Sequence, residues 1–294
     1  MESESKIASK RVLISIVMNL IITIAEIIGG ILSKSLALLS DSMHNLSDTL
    51  AQVLTFATLR LSERKSDKNF TFGYKRAEII SAFINSSVLI VIAVLLIREA
   101  IARFYRIETI TVGIMLPIAV IGLIANFVSV MVLHGHTYNM NLKSAYLHLL
   151  TDTLSSVVVV VGAVLMLFFN IYWLDPLLTI IIAVYMGYEA FDIFKGSLLI
   201  LMECAPKEID LQKIKEDILK IEDVENIHHV HIWMLSESNF LFEAHINIKN
   251  ISIEDTKKIR LQIEDVLKKY GINHSTIQFE YKEHLEDGLI KGSS

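Results

Sequence analysis

Cysteine is nearly missing from this sequence, in which Cys204 is the only one among 294 residues. A single cysteine excludes an intrachain disulfide, so any water-exposed part is compatible with a reducing compartment. Long runs of lysine or arginine are also missing, and the formal net charge is −5. Nothing in this charge pattern suggests a nucleic-acid partner. A cleavable leader is not expected either, because the long apolar run from Val12 has no small-residue cleavage pattern and contains Glu26.

Apolar residues are abundant and unevenly placed. They make up 53% of the chain, and the mean hydropathy of +0.51 is too high for a water-soluble protein of this length. Long apolar runs reach to about Met202, whereas Lys207 to His284 is charged. The sequence therefore predicts a domain in lipid followed by a domain in water. We predict a cytoplasmic tail at 1–10, a transmembrane domain at 11–203, a cytoplasmic domain at 206–284 and a disordered tail at 285–294.

Six segments are long and apolar enough to cross a bilayer, for which a helix needs about 20 mostly apolar residues. They are Val12–Ile31, Leu36–Leu59, Ile79–Ile97, Val112–Leu133, Ser144–Phe169 and Pro176–Met202. Positive residues cluster before the first segment and after the second, which favours a cytoplasmic location for these flanks and for both termini. Arg98, Arg103 and Arg106, which follow the third segment, argue against this orientation.

Two of these segments carry the same pair of ionisable residues at the same spacing. His44 and Asp48 lie four apart in the second segment, and His148 and Asp152 lie four apart in the fifth. Side chains with this spacing leave the same face of a helix. An ionised carboxylate at bilayer depth costs on the order of 2.5–3.5 kcal/mol, so these groups need a partner. A bound dication would satisfy all of them, since imidazole nitrogens and carboxylate oxygens can form a tetrahedral zinc site.

The ligand types limit the choice of metal ion, and the neighbouring residues limit the membership of the site. Imidazole shifts the preference from manganese, magnesium or calcium towards zinc, with cadmium or cobalt as companions. The alternative is that these side chains only form hydrogen bonds across the helix bundle. Asp41 lies on nearly the same face as His44 but has no counterpart in the fifth segment, so we expect it outside the site. We interpret Asn19 and Glu26 as polar lining of the first segment.

The C-terminal part has the pattern of a small α+β domain. Its predicted elements are a helix around 211–221, strands at Ile227–Leu235 and Phe240–Ile248, a helix at Ile253–Tyr270 and a strand at Thr276–Tyr281. The order αββαβ predicts a small sheet covered by helices on one face. His245 and Glu280 lie on the opposite, polar face of their strands.

The sequence resembles the cation diffusion facilitator family, in particular its bacterial zinc, cadmium and cobalt exporters. The matching stretches follow the same order over nearly the whole chain. They are Gly29-Gly30, Ser35–Leu38, Asp41–Asp48, Phe72–Glu78, Asn141–Ala145 with His148 and Asp152, His228–Trp233, Ala244-His245 and Thr276–Glu280.

This resemblance implies a homodimer of six-span protomers in the cell (cytoplasmic) membrane, each with a ferredoxin-like cytoplasmic domain through which the dimer forms. It implies export of zinc from the cytoplasm by proton antiport with alternating access, so that zinc is a substrate and no organic cofactor is needed. The implied transport site consists of His44, Asp48, His148 and Asp152. The implied cytoplasmic metal site consists of His228, His245 and Glu280, with His231 and His274 as weaker candidates.

For several histidines and for one loop, the sequence leaves metal binding undecided or argues against it. Exposed histidines on a sheet are often only solvated, which is the alternative for the cytoplasmic site. His134 and His136, after the fourth segment, are equally compatible with metal delivery and with no role. Some relatives carry histidines in the loop after the second segment that form an extra metal site. Here the matching positions are Phe70 and Tyr74, so we predict no metal site in that loop.

Competition between protons and metal ions for the same histidines provides a mechanism for the transporter hypothesis. Histidine titrates near about pH 6.5 and binds metal only when unprotonated, so metal and protons compete for His44 and His148. Two alternatives are a membrane metal sensor without transport and an intramembrane zinc enzyme. The enzyme is disfavoured because the chain has no H-E-x-x-H motif and because four protein ligands would leave zinc no open position. We therefore predict a secondary active transporter and not an enzyme.

Overall fold

The computed structural model describes residues 19–62, 64, 66–133, 140–283 and 288–290. The side chains of residues 55, 56, 59, 60, 62, 132, 133, 140–145, 147 and 148 fall outside this description. The chain divides into two compact units. The first comprises Met1–Leu59 and Ser81–Phe194, and the second comprises Arg60–Ile80 and Lys195–Ser294. The loop after the second predicted span thus belongs to the same unit as the C-terminal domain.

Six helices account for most of the described residues between Asn19 and Leu201. The helices are α1 (described over Asn19–Ser33), α2 (Leu36–Ser62), α3 (Arg76–Tyr105), α4 (Val112–Leu133), α5 (Met140–Phe169) and α6 (Leu174–Leu201). Among the described residues, four stretches are long and apolar enough to cross a membrane, namely Arg76–Tyr105, Val112–Met131, Leu149–Phe169 and Leu174–Leu201. Val91, Ile121 and Phe191 on these helices are more than half exposed, as lipid-facing side chains are. The predicted helical membrane domain is confirmed with these four clear spans.

Helix α3 is longer than the apolar run that predicted it. The run ends at Ile97, but α3 continues to Tyr105, so Arg98 and Arg103 are helical. The Arg103 guanidinium donates to the carbonyl of Lys34 just beyond α1, and it lies 3.7 Å from Glu99 Oε1. Donors at a helix C-terminus satisfy carbonyls that have no partner within the helix. Arg103, one of the arginines that argued against the predicted orientation, therefore has a structural role.

A buried carboxylate joins the starts of α2 and α6. Asp175, in the first turn of α6, is fully buried. Its Oδ1 accepts from Ser35 Oγ at 2.6 Å and from the Ala37 amide at 3.2 Å, and its Oδ2 accepts from the Leu36 amide at 2.9 Å. The first amides of a helix have no partner within it, so Asp175 caps α2 from another helix. The sequence analysis did not single out this residue.

The C-terminal domain has the predicted order αββαβ. Its elements are α7 (Leu211–Ile218), β1 (Val224–Ser236), β2 (Asn239–Ile248), α8 (Ile253–Lys269) and β3 (Ile272–Glu280). The strand order is β1-β2-β3, with β2 antiparallel to β1 and parallel to β3. The parallel pair requires a crossover, which α8 provides. One face of the sheet packs against both helices, and the core includes Ile214, Ile218, Phe242, Ala244, Ile246, Ile263 and Leu267.

Most boundaries in this domain differ from the predicted ones by one to four residues; for example, β1 begins at Val224 and not at Ile227. Ser236 pairs with Asn239, so the hairpin loop consists of two residues and not of the predicted four. β3 begins at Ile272, four residues before the predicted Thr276. Gly271, with a φ of +77°, ends the preceding helical segment in the left-handed conformation, and Ile272 is buried directly after it. The alternation of apolar residues becomes regular only later in this strand, which concealed its start.

Candidate metal centres

The intramembrane candidate site lies between α2 and α5. His44 Nε2 is 3.2 Å from Asp152 Oδ1 and 3.6 Å from Asp48 Oδ2. One potential ligand atom from each of these residues lies within 4.8 Å of the other two. A tetrahedron with metal–ligand bonds of about 2.0–2.1 Å has edges of roughly 3.4 Å, so the observed separations suit an ion of the size of zinc.

This site is buried but not uniformly so. The side chains of His44 and Asp152 are 6% and 8% exposed, whereas that of Asp48 is 20% exposed. Carboxylates in a low-dielectric interior are unfavourable unless a cation compensates their charge. A divalent ion would provide that compensation for both aspartates. Asp48 is the most exposed member of the group.

His148, the fourth predicted ligand, has its backbone in α5, but its side chain falls outside the described part of the structure. It precedes Asp152 by four residues, so the two positions share one helix face. The described site therefore consists of His44, Asp48 and Asp152, and the four-ligand site stays a prediction.

Polar side chains on the neighbouring helices hold α2 in place. Asp41 accepts from Ser155 Oγ at 2.6 Å and from Ser156 Oγ at 2.9 Å, both on α5. The Ser156 hydroxyl in turn accepts from Asn126 Nδ2 of α4 at 2.9 Å. Asp41 is not a member of the ligand group. It joins α2 to α5 one turn away from His44, which fixes the separation between the ligands that the two helices contribute.

Helices α1 and α3 contact the polar part of α2 in the same way. Asn45 Nδ2 donates to Glu26 Oε2 at 3.0 Å, and Asn19 Nδ2 donates to Thr49 Oγ1 at 2.9 Å. Asn85 of α3 donates to Ser47 Oγ at 3.0 Å. These hydrogen bonds place Asn19 and Glu26 at the contact with α2. They fix the rotation of α2 about its axis and so direct His44 and Asp48 towards α5.

The second candidate site lies on the sheet face that the helices do not cover. His245 Nδ1 lies 2.7 Å from Glu280 Oε1, and His228 Nε2 lies 3.2 Å from Glu280 Oε2. The potential ligand atoms of the three residues lie within 4.8 Å of one another. The side chain of His228 is only 1% exposed and that of Glu280 is 6% exposed, whereas His245 is 20% exposed. Three strands thus contribute one ligand each to a site with a single accessible edge.

A β-bulge in β1 brings His228 to this face. His228 pairs with His245, but the next recorded pair is His231 with Glu243, so three steps along β1 match two along β2. His229 lies at this bulge with a φ of +52°. A bulge shifts the following side chains to the other face, which keeps His228 and His231 on one side. The His229 ring lies 4.6 Å from that of His245, centroid to centroid. The sequence analysis missed His229, because a bulge is not visible in an alternating pattern.

The other predicted histidines do not join this group. His231 is exposed, and its ring lies 5.0 Å from that of His229. His274 pairs with Leu241 at the other end of β3, six residues and about 20 Å along the strand from Glu280. Its ring contacts that of Phe72 edge-on at 6.0 Å. His134 and His136 lie outside the described residues.

Hydrogen bonds to Asp67 and one aromatic contact connect the residues of the loop between α2 and α3. Tyr74 donates to Asp67 Oδ2 at 2.7 Å, and the rings of Phe70 and Tyr74 lie 4.5 Å apart. Asp67 Oδ1 also accepts from the amides of Asn69 and Phe70. The hydrogen bond from Tyr74 is the largest cause that holds the pKa of Asp67 below its usual value. The absence of a metal site in this loop stays a prediction.

Comparison with known proteins covers both units. Residues 12–202 match the family model described as the cation efflux transmembrane domain, and residues 206–282 match the one described as the cation efflux protein, cytoplasmic domain. A "Cadmium, cobalt and zinc/H(+)-K(+) antiporter" from Bacillus subtilis is 39% identical over 96% of this chain and 93% of its own length. "Zinc transporter ZitB" from Pectobacterium atrosepticum is 36% identical over 95% of this chain and 88% of its own length. "Metal cation efflux system protein CzcD" from Cupriavidus metallidurans is 34% identical over 87% and 82%.

Proposed function

Because this chain belongs to the cation efflux family, we propose that it exports zinc, and with it cadmium or cobalt, from the cytoplasm in exchange for protons. The family is one of multi-pass membrane transporters of divalent metals, so the chain is a transporter and not an enzyme. Its resemblance to the cation diffusion facilitators is thereby confirmed. The finer points below, which concern the ion, the site and the coupling, form the proposal.

The observation that carries the proposal is the shared position of His44 Nε2. This nitrogen faces Asp48 of its own helix at 3.6 Å and Asp152 of α5 at 3.2 Å. A mixed nitrogen and oxygen donor set with these separations suits zinc and the similar cations cadmium and cobalt. Magnesium prefers an octahedral set of oxygens, and calcium prefers six to eight oxygens, so this set disfavours both ions.

The division of the ligands between two helices supports transport by alternating access. α2 supplies His44 and Asp48, while α5 supplies Asp152 and, by prediction, His148. A relative movement of α2 and α5 would therefore separate the ligands and release the ion. His44 Nε2 binds either a metal ion or a proton, so protonation after release prevents rebinding of the ion. This exclusion at one atom couples export to proton uptake.

The cytoplasmic domain has a supporting role in the proposal. We infer that His228, His245 and Glu280 bind a resident divalent ion and that two copies of the chain associate through this domain. The close approach of the three side chains supports metal binding. The match to the cytoplasmic domain of cation efflux proteins supports association of two copies. The positive loops support a location in the cell membrane with both termini in the cytoplasm.

Zinc flux into proteoliposomes tests the transport site. Asp48→Asn and Asp152→Asn each remove the charge of a ligand, and we expect initial zinc flux to fall by more than about 100-fold, since even partners of ligands contribute 10–100-fold to metal affinity. Asp41→Asn is the matched control, because it makes the same chemical change on α2 outside the ligand group. Because Asp41 joins α2 to α5 without belonging to the ligand group, we expect flux to fall by about tenfold, less than in either ligand variant.

Three outcomes would refute parts of this account. Equal losses in Asp41→Asn and Asp48→Asn would show that the charge of α2 matters but not the ligand group. Undiminished flux in Asp152→Asn would exclude the site. Saturable zinc binding by the parent protein without any flux would favour a metal sensor over a transporter.

A further inference from the structure

A cleft of about 430 Å³ lies within the second unit. One wall is the loop between α2 and α3, and the other is formed where β1 ends and where β2 and β3 begin. Arg64, Phe72 and Lys75 line it from the loop, and Asn239, Phe240 and His274 line it from the sheet. Neither candidate metal centre includes any of these residues.

The lining of the cleft is basic. Arg64, Lys75 and His274 contribute to it, and none of its lining residues is an aspartate or a glutamate. Within the described part of the chain, neither Arg64 nor Lys75 forms an ion pair with a carboxylate. The next residue in sequence, Arg76, behaves differently, because its guanidinium lies 2.9 Å from Glu203 Oε1. Among the described residues, no ion pair therefore neutralises the positive charge of Arg64 and Lys75.

A hydrogen bond holds the Lys75 ammonium group in position within the cleft. Lys75 Nζ donates to Asn239 Oδ1 at 3.0 Å, and the Asn239 amide donates to Ser236 Oγ at 2.6 Å. His274 contacts Phe72 edge-on at 6.0 Å. These contacts leave the ammonium group two further protons for a ligand, since lysine carries three donors. Phe72 and Phe240 add an apolar surface beside the charged groups.

In the topology of the proposed function, on which this step rests, the loop joins the predicted second span to the third at the cytoplasmic surface. Arg64 follows the end of α2 at Ser62 by two residues, and Lys75 directly precedes the start of α3 at Arg76. Chain connectivity alone therefore places both cations near the membrane surface. Anionic headgroups concentrate at the cytoplasmic surface and attract lysine and arginine residues close to it.

We propose that this cleft binds a phosphate group, carried either by an anionic lipid headgroup or by free phosphate. The planar guanidinium of Arg64 can form paired hydrogen bonds to phosphate oxygens, and Lys75 supplies a second, compact positive charge. A carboxylate ligand would use fewer of these donors, because it has two oxygens and one charge. Zinc and similar transition metals are disfavoured as occupants, since His274 is the only histidine, cysteine or carboxylate residue in the lining.

Titration calorimetry on the full chain in neutral detergent tests the proposal. The probes are inorganic phosphate and dioctanoyl phosphatidic acid, whose terminal phosphate keeps three free oxygens, both at constant ionic strength. For the double variant Arg64→Gln/Lys75→Gln we expect the dissociation constant to rise by about tenfold or more, because two charge-assisted contacts are lost. Lys68→Gln/Lys213→Gln is the matched control, as it removes the same charge from exposed residues outside the cleft. We expect it to stay within about twofold of the parent.

The two probes distinguish the source of the phosphate. Saturable binding of the lipid alone supports a headgroup ligand, and binding of inorganic phosphate with similar affinity supports free phosphate. Arg64→Gln alone repeats the test if the double variant does not fold, because this exposed side chain has no ion-pair partner in the described structure. The proposal is overturned if neither probe binds saturably, or if the cleft variant and the control variant lose affinity equally.

Discussion

A single ring nitrogen, Nε2 of His44, lies close to carboxylates from two different helices. The aspartates around this nitrogen have different functions. Asp48 and Asp152 supply the negative charge that a divalent ion needs, whereas Asp41 accepts from the hydroxyls of Ser155 and Ser156. Aspartates in similar surroundings thus have two different roles, which the direction of each side chain determines.

Asp67 allows a prediction about pH at the scale of a residue. The hydrogen bond from Tyr74 holds its pKa below the usual 3.8. A group whose folded pKa is lowered stabilises the fold above its unfolded pKa, and this contribution is lost as the pH falls through the folded pKa. We predict that the amides of Asn69 and Phe70, which donate to Asp67, exchange slowly at neutral pH and lose this protection below about pH 3.8.

Hydrogen exchange of the loop at neutral pH and in the acid range measures this effect. Tyr74→Phe removes the donor to Asp67 and should reduce protection at neutral pH. Tyr105→Phe is the control, because Tyr105 is 86% exposed. The assignment fails if Tyr74→Phe leaves the protection of both amides unchanged.

At the scale of helices, the cap that Asp175 forms on α2 is the most consequential contact. Asp175→Ala leaves the Leu36 and Ala37 amides and the Ser35 hydroxyl without their acceptor. We predict a loss of about 1–3 kcal/mol in the free energy of unfolding, in the range measured for lost caps and buried hydrogen bonds. Thermal unfolding in detergent measures this loss.

Glu108→Ala is the control for the cap. Glu108 is a half-exposed residue that pairs with Lys34 at 3.7 Å, and exposed pairs contribute less than about 1 kcal/mol. An unfolding temperature that falls as much in Glu108→Ala as in Asp175→Ala would show that Asp175 is not a cap of special importance.

The contact between α1 and α4 leads to a second prediction about helices. A Cβ at Gly122 would lie 1.8 Å from Glu26 Oε1, and Glu26 is almost fully buried. Gly122→Ala therefore has to displace Glu26 from Asn45, which we expect to cost about 1–3 kcal/mol. Gly113→Ala on the same helix is the control, because a Cβ there meets nothing within 4 Å. Equal unfolding temperatures of the two variants would contradict this reading.

Local sequence patterns predicted the elements but not the contacts between distant parts of the chain. The apolar runs and alternating strands located α4 to the residue and gave the order αββαβ. The continuation of α3 through Arg98 and Arg103 was missed because charged residues end an apolar run without ending a helix. Asp175 was missed because a cap supplied from 139 residues away leaves no trace in nearby sequence.

In the candidate sites, too, local patterns predicted which residues share a face but not the features that depend on irregular backbone. The spacing of four predicted that His44 and Asp48 share a face, and the repeated pair on α5 indicated that Asp152 lies opposite. In the cytoplasmic domain, alternation placed His245 and Glu280 on the open face. It could not place His228 beside them or identify His229, since both depend on the bulge in β1.

For the whole molecule, the proposal requires two classes of metal site in two separate units. We predict that His245→Ala reduces the number of zinc ions bound per chain at equilibrium and abolishes the part of the zinc-induced stabilisation that the sheet site provides. Saturation at 100 times the dissociation constant stabilises a protein by about 2.7 kcal/mol, so the shift in unfolding temperature is measurable.

His274→Ala is the control for this experiment. It removes a histidine from the same sheet, but His274 lies at the other end of β3 from Glu280. Zinc stoichiometry should therefore stay at the parent value. A loss of bound zinc in His274→Ala, or none in His245→Ala, would contradict the cytoplasmic site.

The central claim is that zinc and protons exchange at the site formed by His44, Asp48 and Asp152. Simultaneous recording of zinc entry and luminal pH in proteoliposomes that contain the full chain measures this exchange directly. The account predicts that zinc entry alkalinises the lumen, that an imposed outward proton gradient accelerates it, and that Asp152→Asn abolishes both signals. Zinc entry at the same rate with or without a proton gradient, and without any change in luminal pH, would contradict it.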